Sequence, residues 1–162
     1  MPEVVISNTS PIFYLHRLRL LNLLQELYQK IIVPKAVVTE LETGRRQGED
    51  VPEIDNYEWI ETRTVRSPQI LGLSTDFGSG ETEVLAMALE ESESLVIIDE
   101  KLARKIARLR GLPVTGTAGV LLKAKQEGYI SAVKPFLDQL QEMHFHLSDN
   151  VRTLIKLENN EF

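Results

Sequence analysis

The sequence predicts an α/β fold in which a mostly parallel sheet carries helices on both faces. Short apolar runs alternate with helical patterns of ten or more residues, which is the arrangement of βαβ units. Residues 95–98 are continuously apolar, as in a strand that is buried on both faces. This run ends at Asp99 and Glu100, and open α/β sheets form their binding sites beyond the carboxyl ends of their strands.

The first part of the chain predicts two strands separated by helical sequence. Residues 4–6 form an apolar strand that ends in a polar cluster, in which Ser10 is expected to cap a helix that begins at Pro11. Apolar residues keep a helical period over 12–27, which fits two helices or one bent helix. A second short strand is predicted at 31–33.

The next part predicts a helix, a polar excursion and a strand. Pro34 is expected to begin the helix and Gly44 to end it, with Glu40 beside its apolar face. The polar segment 45–55 predicts a surface excursion, and 59–62 predicts a strand at an edge of the sheet.

The second half continues the alternation of helices and strands. A helix with Glu81 in its first turn precedes the strand at 95–98. The remaining predicted elements are a helix at 101–110, a glycine-spaced turn at 115–119, helices at 120–128 and 132–143, a weak strand at 145–147 and an amphipathic helix at 151–157.

Length and composition restrict the function classes. The 162 residues predict one domain over 1–162. A net charge of −6 argues against non-specific coating of nucleic acid, which requires many Lys and Arg, but it leaves a local basic rim open. The absence of cysteine excludes disulfides and thiolate chemistry. No apolar run approaches the ~20 residues of a membrane helix, so we expect a cytoplasmic protein without a membrane span.

Four polar side chains stand at the ends of predicted elements: Asn8, Glu40, Glu81 and Asp99. If these ends meet, the side chains form an oxygen-rich cluster of the kind that binds Mg²⁺ or Mn²⁺ through one or two carboxylates and several waters. Each residue also has a purely structural interpretation, as a turn former, a solvated helix residue, a helix-dipole partner or a cap. Both interpretations stay open at this point.

Five basic residues lie close to these acids along the chain, either on the helix that follows Asp99 or directly after the helix that carries Glu40. They are Arg45, Arg46, Arg104, Lys105 and Arg108. They fit either a solvated helix surface or a rim that steers a phosphate backbone toward the acids without reading its sequence.

The sequence also bears on two other classes of site, a P-loop nucleotide hydrolase and a phosphate-binding regulator. Residues 96–100 resemble the acidic strand of a P-loop nucleotide hydrolase, but no Gly-Lys pair follows any glycine-rich loop, so that class is excluded. The turn at 115–119 leaves open a nucleotide-binding regulator that holds a phosphate at a helix N-terminus.

A set of short motifs, taken in order, resembles the PIN-domain family and in particular the small stand-alone prokaryotic members related to the toxins of toxin–antitoxin pairs. The resemblance extends from Val4 to about Leu157. The motifs are Asn8-Thr9-Ser10-Pro11, Val33-Pro34 with Glu40-Leu41, Gly80-Glu81-Thr82-Glu83, and Ile98-Asp99-Glu100 with Ala103-Arg104 and Gly116-Thr117.

This resemblance implies a three-layer α/β/α sandwich and a metal-dependent ribonuclease that cleaves single-stranded RNA with Mg²⁺ or Mn²⁺. It also implies a homodimer and an antitoxin protein as a partner. The family's acidic positions carry over as the catalytic residues Glu40, Glu81 and Asp99, with Asn8, Glu81 and Asp99 as metal ligands. The supporting residues are Thr9, Ser10 and Glu100.

One position departs from the family pattern. Asn8 stands where the family usually has aspartate. An amide oxygen can coordinate Mg²⁺ but brings no negative charge, so we expect weaker metal binding. The alternative function is therefore a PIN-like module that binds nucleic acid or protein with impaired catalysis.

Overall fold

A computed structural model of the chain describes residues 2, 4–66, 79–91 and 93–146. The strands are β1 (Val4–Ser7), β2 (Ile31–Pro34), β3 (Ile60–Arg63), β4 (Ser94–Ile97) and β5 (Val114–Thr115). The α-helices are α1 (Thr9–Arg17), α2 (Leu23–Tyr28), α3 (Lys35–Arg46), α4 (Ser79–Glu90), α5 (Lys101–Leu109), α6 (Thr117–Gln126) and α7 (Lys134–Glu142). A 3-10 turn covers Ile54–Asn56.

The five strands form one parallel sheet in the order β3-β2-β1-β4-β5. The predicted α/β class is therefore confirmed, and β3 is the edge strand that the sequence predicted. The chain builds the sheet outward from β1 in one direction and then returns to add β4 on the other side of β1. This reversal makes a topological switch point between β1 and β4, where the carboxyl ends of strands leave a crevice.

The helices flank the sheet. Crossovers between parallel strands are right-handed as a rule, so the reversal in the direction of strand addition places helices on both faces of the sheet. Among the described residues, α1 packs against α3 and α6, and α4 packs against β1, β2 and β4. Ile6, Val96 and Ile97 are completely buried between these layers. The α/β/α arrangement holds the two central strands, and therefore the switch point, in a rigid core.

Two predicted helix boundaries in the first half were wrong. The helix was expected to end at Gly44, but α3 continues to Arg46 and the chain turns at Gly48, whose φ of 88° is easy only for glycine. Ser10 was expected to cap a first helix beginning at Pro11, but α1 begins two residues earlier, at Thr9, with Asn8 as its N-cap residue. The period over 12–27 belongs to two helices, α1 and α2.

Differences in the second half follow from local hydrogen bonding. Helix α6 begins within the predicted turn, at Thr117. The predicted strand at 145–147 is not formed by its described residues, because the Phe145 amide donates back to the carbonyl of Leu140 at 2.9 Å and ends α7. The predicted helix at 151–157 lies outside the described residues. None of the described helices is long and apolar enough to span a bilayer.

Candidate active site

The candidate site lies at the switch point of the sheet. Asn8 directly follows β1 and Asp99 follows β4 by two residues. The backbone amide of Asn8 donates to the carbonyl of Ile97 at 2.9 Å, which joins the carboxyl ends of the two strands. Two of the predicted site residues are thus brought side by side.

Asp99 is held by three hydrogen-bond donors. Its Oδ1 accepts from the backbone amide of Thr117 at 2.7 Å, and its Oδ2 accepts from the hydroxyls of Thr117 at 2.7 Å and Ser10 at 2.8 Å. Thr117 is fully buried, so its donors have a fixed position. An ionised carboxylate has about four acceptor sites, and three of them are used here. The fourth, on Oδ1, accepts no hydrogen bond from the described residues.

Asn8 carries a buried oxygen without a partner. The residue is 2% exposed, and its Oδ1 accepts no hydrogen bond from the part of the chain that the structure describes. Burying an unpaired acceptor costs about 1–3 kcal/mol, so such an atom in a folded protein points to a bound ion, water or ligand. The Thr9 hydroxyl next to it is also buried, and it interacts with Glu40, where it lowers the pKa of the carboxyl.

Gly80 allows Glu40 to approach Asn8. A Cβ atom at residue 80 would lie 2.8 Å from Asn8 Oδ1 and closer still to Glu40 Oε1, so any side chain there would displace both oxygens. Glu40 is exposed as a residue, but its carboxylate extends over Gly80. Burial raises the pKa of Glu40, as does the charge of Glu81, while a hydrogen bond from the Gly80 amide acts in the opposite direction.

The start of α4 brings two more acids to this edge. Glu81 lies in the first turn, where its charge is favourable to the helix dipole. Glu83 Oε1 accepts from the backbone amide of Ala36 in the first turn of α3 at 3.1 Å. This bond joins the beginnings of α3 and α4 and so fixes the helix that carries Glu40 relative to the one that carries Glu81.

Arg104 is the predicted basic residue that lies closest to the acids. Asp99 Oδ1 and Arg104 Nη1 lie 2.7 Å and 3.8 Å from the position that a Cβ of Gly116 would occupy. Burial lowers the pKa of Arg104, the neighbouring Arg108 lowers it further, and Asp99 raises it. Its Nε is buried and donates to no acceptor of the described chain. Arg104 is therefore a half-buried cation beside Asp99 with one unused donor at Nε.

The other predicted basic residues have different surroundings. Lys105 and Arg108 are exposed on α5. Arg45 and Arg46 lie in the last turn of α3, and Arg45 forms an ion pair with Glu53. Their predicted role in RNA binding stays a prediction.

Glu100, predicted to support the site, is the N-cap of α5. Its Oε2 accepts from the backbone amide of Ala103 at 2.6 Å, which satisfies a free donor of the first turn. The cap fixes the helix that directly follows Asp99, and it orients the basic residues of α5.

The donors at this edge suit a hard divalent cation in kind, since they are carboxylate and amide oxygens. Within the described ranges, however, no group of three or more His, Asp or Glu side chains is close enough to hold a metal ion. Mg²⁺ is usually bound through one or two carboxylates and several waters. Together with the unpartnered Oδ1 of Asn8, the arrangement fits a cation held by few protein ligands.

Comparison with known families gives a match that spans the chain. The DUF3368 family model, described as a PIN domain, matches residues 4–161. The chain is a PIN-domain protein. No match was found among curated proteins. PIN domains are generally nucleases and commonly bind Mg²⁺. The family resemblance seen in the sequence is therefore confirmed.

Three contributors to this PIN domain's site were not singled out from the sequence. Thr117 supplies two donors to Asp99, Gly80 leaves room for Glu40, and Glu83 joins α3 to α4. All three residues did stand within the quoted motifs, so a signal was present. Nothing in the sequence specified that Thr117 would face Asp99 across 18 residues of chain.

Proposed function

We propose that this PIN domain is a divalent-cation-dependent endoribonuclease that hydrolyses phosphodiester bonds of single-stranded RNA. The observation that carries the proposal is the position of Asp99, held by three donors at the switch point, beside the buried and unpartnered Oδ1 of Asn8. An oriented carboxylate and a nearby amide oxygen without a hydrogen-bond partner are two ligands suited to a divalent cation.

The proposed roles follow from these positions. Asp99, Glu81 and Asn8 would hold one or two Mg²⁺ or Mn²⁺ ions. When bound, such a cation lowers the pKa of a coordinated water and offsets negative charge on the phosphoryl oxygens. Glu40, whose pKa is raised, would orient the attacking water and accept its proton. Thr117 and Ser10 keep the Asp99 carboxylate in one orientation, and Thr9 supports the same corner.

The basic side of α5 supplies the substrate contacts. Arg104 lies beside Asp99 with an unused donor at Nε and would bind the phosphate that is cleaved. Lys105 and Arg108 extend the positive charge along the helix and would bind neighbouring phosphates. Single-stranded RNA suits a narrow edge of this kind because its backbone can bend and its bases can turn outward.

The proposal extends to partners. By resemblance to toxin-type PIN proteins, the protein is a homodimer and the toxin of a toxin–antitoxin pair, with an antitoxin protein as its partner. Light scattering of the purified chain measures the first point. Co-purification of the protein encoded next to it tests the second.

A second candidate function is a PIN-like binding module without efficient catalysis. Two observations favour it. Asn8 is neutral at the first family position, and the described residues contain no group of three close acids or histidines. Such a module would bind RNA through α5 and leave it intact.

The deciding experiment is cleavage of mixed-sequence single-stranded RNA by the purified protein with Mn²⁺, Mg²⁺ or EDTA. We expect cleavage that requires metal and is lost in Asp99→Asn. Asp55→Asn is the matched control, because Asp55 is exposed on the 3-10 turn and is not among the hydrogen-bond partners of Asp99. Cleavage that survives Asp99→Asn would contradict the proposal. RNA binding without cleavage, with cleavage gained in Asn8→Asp, would favour the binding module.

A further inference from the structure

A second cavity opens beside the candidate active site, at the same edge of the sheet. It has a volume of about 420 Å³, within the range typical of small-molecule sites. Its walls come from the first two turns of α3 and α4 and from the chain just after β3. The carboxyl-end crevice therefore continues from β4 and β1 past β2 to the end of β3.

This cavity and the candidate active site share one residue. Glu40 lines the cavity, and its carboxylate also lies against Gly80 next to Asn8. A ligand in the cavity would sit directly beside the group that we assign to the attacking water. If the proposed function is correct, the cavity is the place for the nucleotide next to the cleaved phosphate.

The polar groups of the cavity are of two opposite kinds. Lys35, the first residue of α3, is exposed and forms no ion pair with any residue in the described ranges. Glu83 is half-buried, and its Oε1 is fixed by the Ala36 amide. Its Oε2 accepts no hydrogen bond from the described chain. The cavity thus offers a cationic donor and an oriented carboxylate acceptor.

The remaining walls suit a flat, weakly polar ring. Val65 is 7% exposed and contributes a buried apolar surface, and Ala36 adds a methyl group. Thr39 and Thr64 bring methyl and hydroxyl groups to the rim. A nucleobase has this combination of apolar faces and a polar edge, and single-stranded RNA exposes its bases for such contacts.

We propose that this cavity is a base-binding subsite that selects guanine, an inference that rests on the proposed ribonuclease function. Guanine presents two adjacent donors, N1–H and the 2-amino group, and these match the two oxygens of the Glu83 carboxylate. Its O6 acceptor lies on the same edge and matches the Lys35 ammonium. Adenine and cytosine place an acceptor beside their amino group, and uracil has one donor between two acceptors, so each of them would turn an acceptor toward Glu83.

The test measures binding of nucleoside 5′-monophosphates to the full chain by calorimetry, in EDTA. Guanosine, adenosine, cytidine and uridine monophosphates share the same phosphate and sugar, so contacts of the phosphate elsewhere cancel in the comparison. We expect guanosine monophosphate to bind roughly tenfold more tightly than the others, which is the selectivity of one good bidentate contact. Inosine monophosphate, which lacks the 2-amino group, should lose most of this preference.

Two variants locate the selectivity. Glu83→Gln keeps an oxygen for the Ala36 amide, so the fold is retained, but the preference for guanosine monophosphate should fall to about twofold or less. Lys35→Ala should weaken the binding of guanosine monophosphate several-fold. Glu42→Gln is the matched control, because Glu42 lies on α3 with Lys35 but outside the cavity. This variant should bind guanosine monophosphate as tightly as the wild type does. Melting temperatures of all variants show that they are folded.

The results separate this inference from the proposed function. Equal binding of all four monophosphates, or a guanine preference that survives Glu83→Gln, overturns the subsite. Selective binding that depends on Glu83 establishes the subsite even if the protein cleaves no RNA, in which case only the ribonuclease proposal fails. If the protein cleaves RNA but binds the four monophosphates equally, the ribonuclease proposal stands and the guanine subsite fails.

Discussion

Thr117 donates both its amide and its hydroxyl to Asp99, so one buried residue controls much of the orientation of that carboxylate. Thr117→Val keeps the shape and the amide but removes the hydroxyl donor to Oδ2. We expect affinity for Mn²⁺ to fall about tenfold, the lower end of the effect of losing a group that orients a metal ligand. RNA cleavage at limiting Mn²⁺ should fall in parallel. Calorimetric titration with Mn²⁺ measures the affinity.

Thr117→Ser is the control for this prediction, because serine restores the hydroxyl without the methyl group. It should retain most of the Mn²⁺ affinity. If the valine variant binds Mn²⁺ as tightly as the wild type, the hydroxyl has no role in holding Asp99 for a cation.

Glu40 gives the site a dependence on pH. Its pKa is raised above the ordinary value by burial and by Glu81, so the ionised form is less favourable in the folded chain than in the unfolded one. The stability that goes with this shift is fully present below the ordinary carboxyl pKa and is lost as the pH rises through the raised pKa. In EDTA, Glu40→Gln should therefore melt at a higher temperature than the wild type at pH 7.

The difference in melting temperature should disappear near pH 3.5, which is below the ordinary pKa of roughly 4.3 for a Glu carboxyl. Glu42→Gln, an exposed change two residues away on α3, controls for a general effect of removing one negative charge. A gain that is equal in the two variants, or that does not shrink toward low pH, would argue against a local penalty at Glu40.

At the scale of elements, the first turn of α4 fits the site only because residue 80 has no side chain. Gly80→Ala places a Cβ against Glu40 Oε1 and Asn8 Oδ1. Alanine is favoured over glycine in a helix by about 1 kcal/mol, so α4 should form at least as well as before. We expect RNA cleavage to fall tenfold or more while the far-ultraviolet circular dichroism and melting temperature stay close to those of the wild type.

Gly44→Ala is the matched control for the change at Gly80. Gly44 also lies in a helix, and a Cβ there would meet the carboxylate end of the exposed, flexible Glu49 side chain. It should leave cleavage unchanged. Normal activity in Gly80→Ala would mean that the close approach of Glu40 to Asn8 is not needed.

The termini of three helices meet at this edge, and polar contacts fix their relative positions. Glu83 accepts from the start of α3, Glu100 caps α5, and Asp99 accepts from the start of α6. Each acid satisfies an amide that a helix terminus would otherwise leave free. Asp99 therefore stabilises the fold and also belongs to the candidate site, which explains why a structural interpretation of this residue and a functional one were both open in the sequence.

For the molecule as a whole, a net charge of −6 coexists with the basic side of α5. RNA binding should therefore depend on few phosphates and fall moderately with salt. Single-stranded RNA contributes a slope of about 0.7 in log K per neutralised phosphate. The double variant Lys105→Ala and Arg108→Ala should lower the slope by about 1.4, measured by fluorescence anisotropy across a salt series.

Replacing Arg45 and Arg46 by alanine gives the comparison for the salt series. Arg45 is already paired with Glu53, so this double variant should change the slope less. If both double variants change the slope equally, the positive charge acts as a diffuse field and α5 is not a defined phosphate-binding surface.

The overall architecture could be predicted because its signals are local. These signals are the apolar run at 95–98, the short strands before Asn8 and Pro34, and the helical period of the leucines. Each can be recognised without knowing the rest of the fold. Their alternation then left a parallel sheet as the natural arrangement. The error at Gly44 shows the limit, since a glycine ends a helix only where the backbone turns, and here the chain turns at Gly48.

The candidate site could be predicted only in part. Asn8, Glu40, Glu81 and Asp99 were indicated by their places at the ends of elements, and the sheet brings Asn8 and Asp99 together while Gly80 brings Glu40 to Asn8. The partners of Asp99 could not be predicted, because Ser10 is 89 residues away along the chain and the contact depends on the packing of α1 against the end of β4. Long-range side-chain contacts of this kind leave no periodic trace in a sequence.

The position of Arg104 couples the binding of substrate to the binding of metal at the site. Its guanidinium shares the space over Gly116 with the Asp99 carboxylate, so in the resting protein the two charges face each other. A phosphate that draws the guanidinium toward itself leaves Asp99 with less positive charge nearby and a stronger attraction for a cation. Substrate and metal should therefore assist each other's binding, so that Mn²⁺ binds more tightly to the protein already loaded with uncleavable RNA than to the protein alone.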